Sequence, residues 1–252
     1  MADAHIDALR SSVSRLRDVV TTLSDADLTR QAYPTEWTIA DVLSHIGSGA
    51  VIMQRRLEDI LVGRETPDDF ARGVWDEWNA KTPAAQRDDA LAADAALLTG
   101  IEAVTPAERD KFAMAMGPMT LGFEEFVGMR LNEHAFHTWD VEVVTEPAAT
   151  IPTPVAELVV DNLDLVARYT AKPTGDTTTI TVATTSPQRI FAIELNPEAV
   201  TFAATPASAG ADLELPAEAF ARLVYGRLDA EHSPAGDHGP ALGILRRTFP
   251  GP

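Results

Sequence analysis

The chain has 252 residues, 45% of them hydrophobic and 23% charged, which is the composition of a folded soluble protein with room for one large domain or two modest ones. Lys and Arg number 20 against 38 Asp and Glu, a formal net charge of -18. A field of that sign repels phosphate backbones and anionic lipid, so no nucleic acid and no membrane surface is expected as a partner, and an anionic substrate would need a local cation. There is no cysteine, which excludes disulfides, thiolate metal sites and a cysteine nucleophile. Any sulfur chemistry would have to be brought by a small molecule.

The N-terminal stretch has no apolar core of signal-peptide type; Ile6, Leu9, Val13, Leu16 and Val20 recur at helical spacing instead. A first helix is predicted from Ala4 to Leu23, and the expected compartment is the cytoplasm. Ser24-Asp25-Ala26-Asp27 reads as a turn with capping character, followed by a loop through Pro34. Thr38 can cap a second helix, whose apolar stripe runs Ile39, Val42, Leu43, Ile46, Ala50, Met53, Leu57 and Ile60 towards Gly63. Residues 64–81 are less regular and hold Trp75 and Trp78. Pro83 opens a third, alanine-rich helix to Val104, and Pro106, Gly117 and Pro118 punctuate a loop. A fourth helix is predicted from Leu121 to Val144. Four long helices joined in this way read as a four-helix bundle.

The pattern changes after Glu146-Pro147. A Pro/Thr-rich linker at Thr150–Pro154 leads to a helix predicted over Val155–Tyr169, then to strand-like runs at Thr177–Thr184, Arg189–Leu195 and Ala199–Ala204. Helices at Pro216–Val224 and Pro240–Phe249 close the chain. The sequence thus predicts two domains, a helical bundle over 1–147 and a small α+β domain with a mainly antiparallel sheet over 148–252.

Two of the six histidines sit in informative places. Glu133 and His137 are four apart and project from one face of the fourth helix. His45 flanks the apolar stripe of the second helix, which a bundle can bring beside the fourth. Two imidazoles and a carboxylate suit zinc, whose catalytic sites use three protein ligands and leave one position open. Taken alone, the pair also reads as a surface hydrogen bond and His45 as a core histidine. His134 is the rival ligand, but it points about 100° away from Glu133 on an ideal helix. Trp37 and Trp139 read as packing residues, and Asp68-Asp69 and Asp88-Asp89 as solvated acids. Ser44 and Ser48 flank His45 without the G-x-S-x-G elbow of a serine nucleophile, and no nucleotide-binding glycine loop is present.

Longer motifs narrow this reading. W-T-I-A-D-V-L-S-H at Trp37–His45 and RLNEHAFHTWD at Arg130–Asp140 resemble, in order and separation, the two metal signatures of the DinB-like, mycothiol-dependent maleylpyruvate isomerase family. V-W-D-E-W-N at Val74–Asn79 is similar to the loop between them. A-D-L-E-L-P-A-E-A-F-A-R-L-V-Y-G-R-L resembles the family's sterol-carrier-like C-terminal domain. The resemblance implies that His45, Glu133 and His137 are the metal ligands, with Asp140 orienting one of them. It implies that Arg227 of the Gly226-Arg227 pair meets a carboxylate substrate, with Arg222 the alternative if the register slips. It further implies Zn²⁺ (or another divalent metal), mycothiol as thiol cosubstrate, and an electrophilic small molecule as substrate, in a monomer or homodimer. The expected activity is a thiol-dependent cis–trans isomerisation, or a thiol S-transfer on the same scaffold. The alternative from another class is a non-catalytic, metal-containing binding protein.

Overall fold

The computed structural model describes residues 2–117, 119–205, 210–236 and 238–251. The chain divides into two compact units, residues 1–147 and 148–252. Among the described residues no helix is long and apolar enough to cross a membrane.

The first unit is built on four long helices, α1 (Ala2–Val20), α3 (Ile39–Leu61), α5 (Pro83–Ala103) and α7 (Phe123–Glu142), with short α2 (Asp25–Leu28), α4 (Phe70–Asn79) and α6 (Pro106–Arg109) between them. Each long helix packs on two others: α3 on α5 and α7, α1 on α5 and α7. This closes a four-sided bundle around an apolar core that includes Leu16, Leu43, Ile46, Trp78 and Val141. The helix starts are written locally. The Thr38 hydroxyl accepts from the Asp41 amide at 3.2 Å while the Asp41 carboxylate accepts from the Thr38 amide at 2.9 Å, a reciprocal cap that fixes where α3 begins. Thr82 caps α5 in front of Pro83. The α3–α5 and α3–α4 packing is close because position 47 is glycine: a Cβ there would lie 2.2 Å from the Trp78 ring and 2.9 Å from Ala90 Cα.

The loop expected between the third and fourth predicted helices carries structure of its own. After α6, β1 (Met114–Met116) pairs antiparallel with β2 (Met119–Leu121) around a turn in which Gly117 has φ +56°. Pro118, which the sequence reading used as loop punctuation, lies outside the described residues.

The second unit begins with α8 (Thr153–Val160) and α9 (Leu163–Thr170) in place of the single helix predicted over Val155–Tyr169. The break falls at Asp161-Asn162: Asn162 departs from helical geometry (φ -115°, ψ 12°), and Asp161 beside it takes a two-pronged pair from Arg189, at 2.6 and 2.9 Å. Strands β3 (Thr178–Thr185), β4 (Arg189–Asn196), β5 (Ala199–Ala204) and β6 (Leu213–Pro216) form one sheet in the order β5-β4-β3-β6. All neighbours are antiparallel except β3 and β6. Ile180, Val182, Phe191, Ile193 and Leu195 alternate into the core, as a half-covered sheet requires. Helix α10 (Ala217–Val224) packs against α8, α9, β3 and β6, and α11 (Gly239–Thr248) against β6.

Candidate metal centre

Helices α3 and α7 bring the predicted ligands together. His45 lies in the second turn of α3, whose start is pinned at Thr38. Glu133 and His137 lie one turn apart on α7, which packs against it. His45 Nε2 is 3.1 Å from Glu133 Oε2, and His137 Nε2 is 3.6 Å from the same oxygen. One ligand atom from each of the three lies within 4.8 Å of the others. Two ligand atoms on a tetrahedral zinc stand about 3.3–3.5 Å apart, given bond lengths of about 2.0–2.2 Å. The two histidine nitrogens stand near that spacing from Glu133, at 3.1 and 3.6 Å, so the donor set suits a zinc-sized ion.

His45 and Glu133 are partly exposed, at 41% and 47% of their side chains, and His137 is buried. The cluster is thus open on one side. Burial pushes the Glu133 carboxyl up, but hydrogen bonds and charge from His137 and His45 outweigh it and hold the group ionised, well below the usual carboxylate range. That is the state a metal requires.

Asp140 stands behind His137. It is fully buried, and its Oδ2 accepts from His137 Nδ1 at 2.9 Å. With the Nδ1 proton engaged by Asp140, Nε2 is the nitrogen that a metal would take, giving up its own proton on coordination. The position of Asp140 is itself tied to the loop before α3, where the Tyr33 amide donates to the Asp140 carbonyl at 3.2 Å and the Tyr33 ring meets Trp139 edge-on. Trp37 packs against the edge of the core and also on the ligands. Its ring centroid is 5.2 Å from that of His45 and 5.9 Å from that of His137, and it is only partly buried. Trp139 is a core residue, 1% exposed.

His134 is completely buried and turned away from the cluster, with Nε2 donating to Asp94 Oδ2 at 3.0 Å. Sequence reasoning missed Asp94, although a signal was present. Ala90, Asp94, Leu97 and Ile101 form the buried stripe of α5, so a carboxylate sits where the period calls for an apolar side chain.

In the second unit Arg227 is buried, with Nη1 donating to the Tyr225 carbonyl at 2.9 Å. Gly226 before it has φ +69°, and a Cβ there would lie 2.0 Å from Gly251 Cα. Arg222 is committed to Glu218, with Nη1 also reaching the Arg227 and His232 carbonyls.

The fold and the cluster define a class: an α-helical bundle presenting two histidines and a glutamate on facing helices, followed by a small α+β unit. Residues 9–142 match the mycothiol maleylpyruvate isomerase N-terminal domain family. That match covers more than half of the chain, and the chain belongs to this family. Comparison with curated proteins gives no match. Among solved structures the chain is similar to the mycothiol-dependent maleylpyruvate isomerase, with TM-score 0.66 and 15% identity over 95% of this chain and 96% of that one. It is equally similar to a histidine-to-alanine mutant of that enzyme, with TM-score 0.65 and 15% identity over 90% of both chains.

Proposed function

We propose that the chain is a mycothiol-dependent isomerase of the maleylpyruvate type, working with a divalent metal held by His45, Glu133 and His137. The observation that carries this reading is the convergence of those three donors at ligand spacing with Asp140 fixing the tautomer of His137. Family membership supplies the thiol and the reaction class. Two imidazoles and one carboxylate favour zinc among the common divalent metals.

The residues divide the work. His45, Glu133 and His137 would hold the ion, and His45 and Glu133 border solvent, from which a thiol can approach. Asp140 keeps the proton of His137 on Nδ1, away from the ion. Trp37 covers one side of both imidazoles and limits water there. When bound, the metal lowers the pKa of a thiol and so supplies thiolate at neutral pH. The cosubstrate's thiolate then adds to the electron-poor C=C bond. Rotation follows about the resulting single bond, and expulsion of the thiolate restores the double bond in the trans form. No electron is gained or lost, and the thiol is returned unchanged. The resemblance of the Gly226-Arg227 pair to the family's C-terminal motif makes Arg227 the candidate for a substrate carboxylate, and Arg227→Ala is then expected to raise KM with a smaller effect on kcat.

The test is metal content of untagged protein by mass spectrometry beside His45→Ala and His137→Ala. About one zinc per chain is expected in the parent, the stoichiometry of a single site, and none in either variant. The Co²⁺-substituted parent should show a new thiolate-to-metal charge-transfer band when thiol is added. A parent that stays metal-free after zinc reconstitution would sink the reading. Metal without any response to thiols would point to a closed binding site instead.

A further inference from the structure

Beneath the ligand cluster lies a second set of polar side chains that coordination itself does not use. Arg130, Asp94 and His134 are each at most 3% exposed. Arg130, one turn before Glu133 on α7, donates through Nη2 to the carbonyl of Ile46, the residue after His45 on α3, at 3.0 Å. The same Nη2 pairs closely with Asp94 Oδ1 from α5. The other oxygen of Asp94 accepts from His134, the residue after Glu133. His134 Nδ1 in turn lies 2.8 Å from Ser12 Oγ on α1 and 3.2 Å from Thr138 Oγ1. Every long helix of the bundle is therefore joined at the level of the ligands, through residues adjacent in sequence to His45 and Glu133. Room for the guanidinium comes from Gly49, where a Cβ would stand 3.3 Å from Arg130 Nη1.

Stability alone is a poor account of this network. Burying a guanidinium, a carboxylate and an imidazole costs desolvation that well-packed apolar residues avoid. Here one guanidinium atom, Arg130 Nε, is also buried without a hydrogen-bond partner among the described residues. What the network does supply is directional fixing of α3 against α7, which apolar packing supplies less sharply. We infer that Asp94, Arg130 and His134 are positioning residues that hold His45 at ligand distance from Glu133 and His137 before any metal arrives. The inference rests on the metal reading above. Without the network, part of the binding free energy would go into ordering the ligands.

The test compares the apparent zinc dissociation constant, by chelator competition, for the full chain and three variants, each at a temperature where circular dichroism shows the metal-free form folded. Asp94→Asn and Arg130→Lys are expected to weaken zinc binding roughly 10–100-fold, the usual effect of losing a group that orients ligands. The control is Asp59→Asn. Asp59 is likewise a buried acid on α3, held by Arg55, Arg64 and Thr66, but it lies about 21 Å along the helix from His45. It should lose thermal stability and keep the parent's affinity. Parent-like affinity in Asp94→Asn and Arg130→Lys, with only their melting temperatures lowered, would make the network purely structural and overturn the inference. So would an equal loss of affinity in Asp59→Asn, because general loosening would then explain everything. A parent that binds no zinc would overturn the metal reading and this inference together, whereas a binding parent with indifferent variants overturns this inference alone. If Asp94→Asn does not fold, Arg130→Lys and the milder Ser12→Ala carry the same comparison.

Discussion

The Nδ1 proton of His137 is held by a carboxylate that has no exposure to water, and removing that acceptor should be felt at the opposite nitrogen. Asp140→Ala is expected to lower metal affinity roughly 10–100-fold without altering the helix content, measured by chelator competition and circular dichroism. Asp140→Asn retains an acceptor and should fall between the two. Acid behaviour belongs to this scale as well. Burial opposes ionisation of Asp94, yet the charges of His134 and Arg130 hold it below the ordinary carboxylate range; Arg55, Arg64 and Thr66 do the same for Asp59 against its own burial. Carboxyls depressed in the folded state take up protons more readily on unfolding. Their stabilisation is therefore complete above about pH 4 and is lost as pH falls through the folded values. Melting curves of Asp59→Asn should show a shallower acid limb than the parent; an unchanged limb would remove Asp59 from the account. His45, Glu133 and His137 were legible in the sequence because a four-residue spacing and a helix cap fix their faces. Asp94 was not singled out, because its partners come from other helices and the alanine-rich stretch around it matches no motif.

At the level of elements, the starts of α3 and α5 were readable to the residue, since their caps are local: Thr38 with Asp41, and Thr82 with Pro83; the ends of α1 and α7 lie two or three residues from their predicted places. The interruptions were harder. Val155, Val159, Val160, Leu163 and Ala167 keep helical period across the α8–α9 break, so periodicity carries no sign of it, and the Arg189–Asp161 pair beside it is a contact across the fold. The β1–β2 hairpin has strands of three residues, below the length at which alternation can be recognised. β6 was passed over because it is four residues long and pairs in parallel with a strand 31 positions away (Val182 with Leu213). The close packing of α3 gives a prediction here. Gly47→Ala would place a methyl group 2.2 Å from the Trp78 ring. The resulting displacement should cost about 1–3 kcal/mol. For a protein of this size that lowers Tm by about 2–4 °C per kcal/mol, readable by calorimetry. An unchanged Tm would mean that the indole moves aside freely.

On the scale of the whole molecule, every residue of the candidate centre and of the network beneath it falls within the first compact unit, residues 1–147. A chain of those residues alone is expected to bind zinc with the affinity of the full protein, as chelator competition can measure. A marked loss would show that the second unit takes part in building the ligand cluster. The chain's net charge of -18 was readable at once and said what the partners are not. It was silent on the chemistry, which depends on a handful of side chains placed by packing.

Trp37 has a use independent of catalysis. Its ring stands within 6 Å of both imidazoles, at 5.2 and 5.9 Å between centroids, close enough for the excited indole to lose its energy to whatever those rings carry. A paramagnetic ion between them, or a proton on either, should dim its emission, and removing Trp37 should abolish that part of the response. The protein thereby carries its own optical indicator of the state of the cluster, needing no added dye.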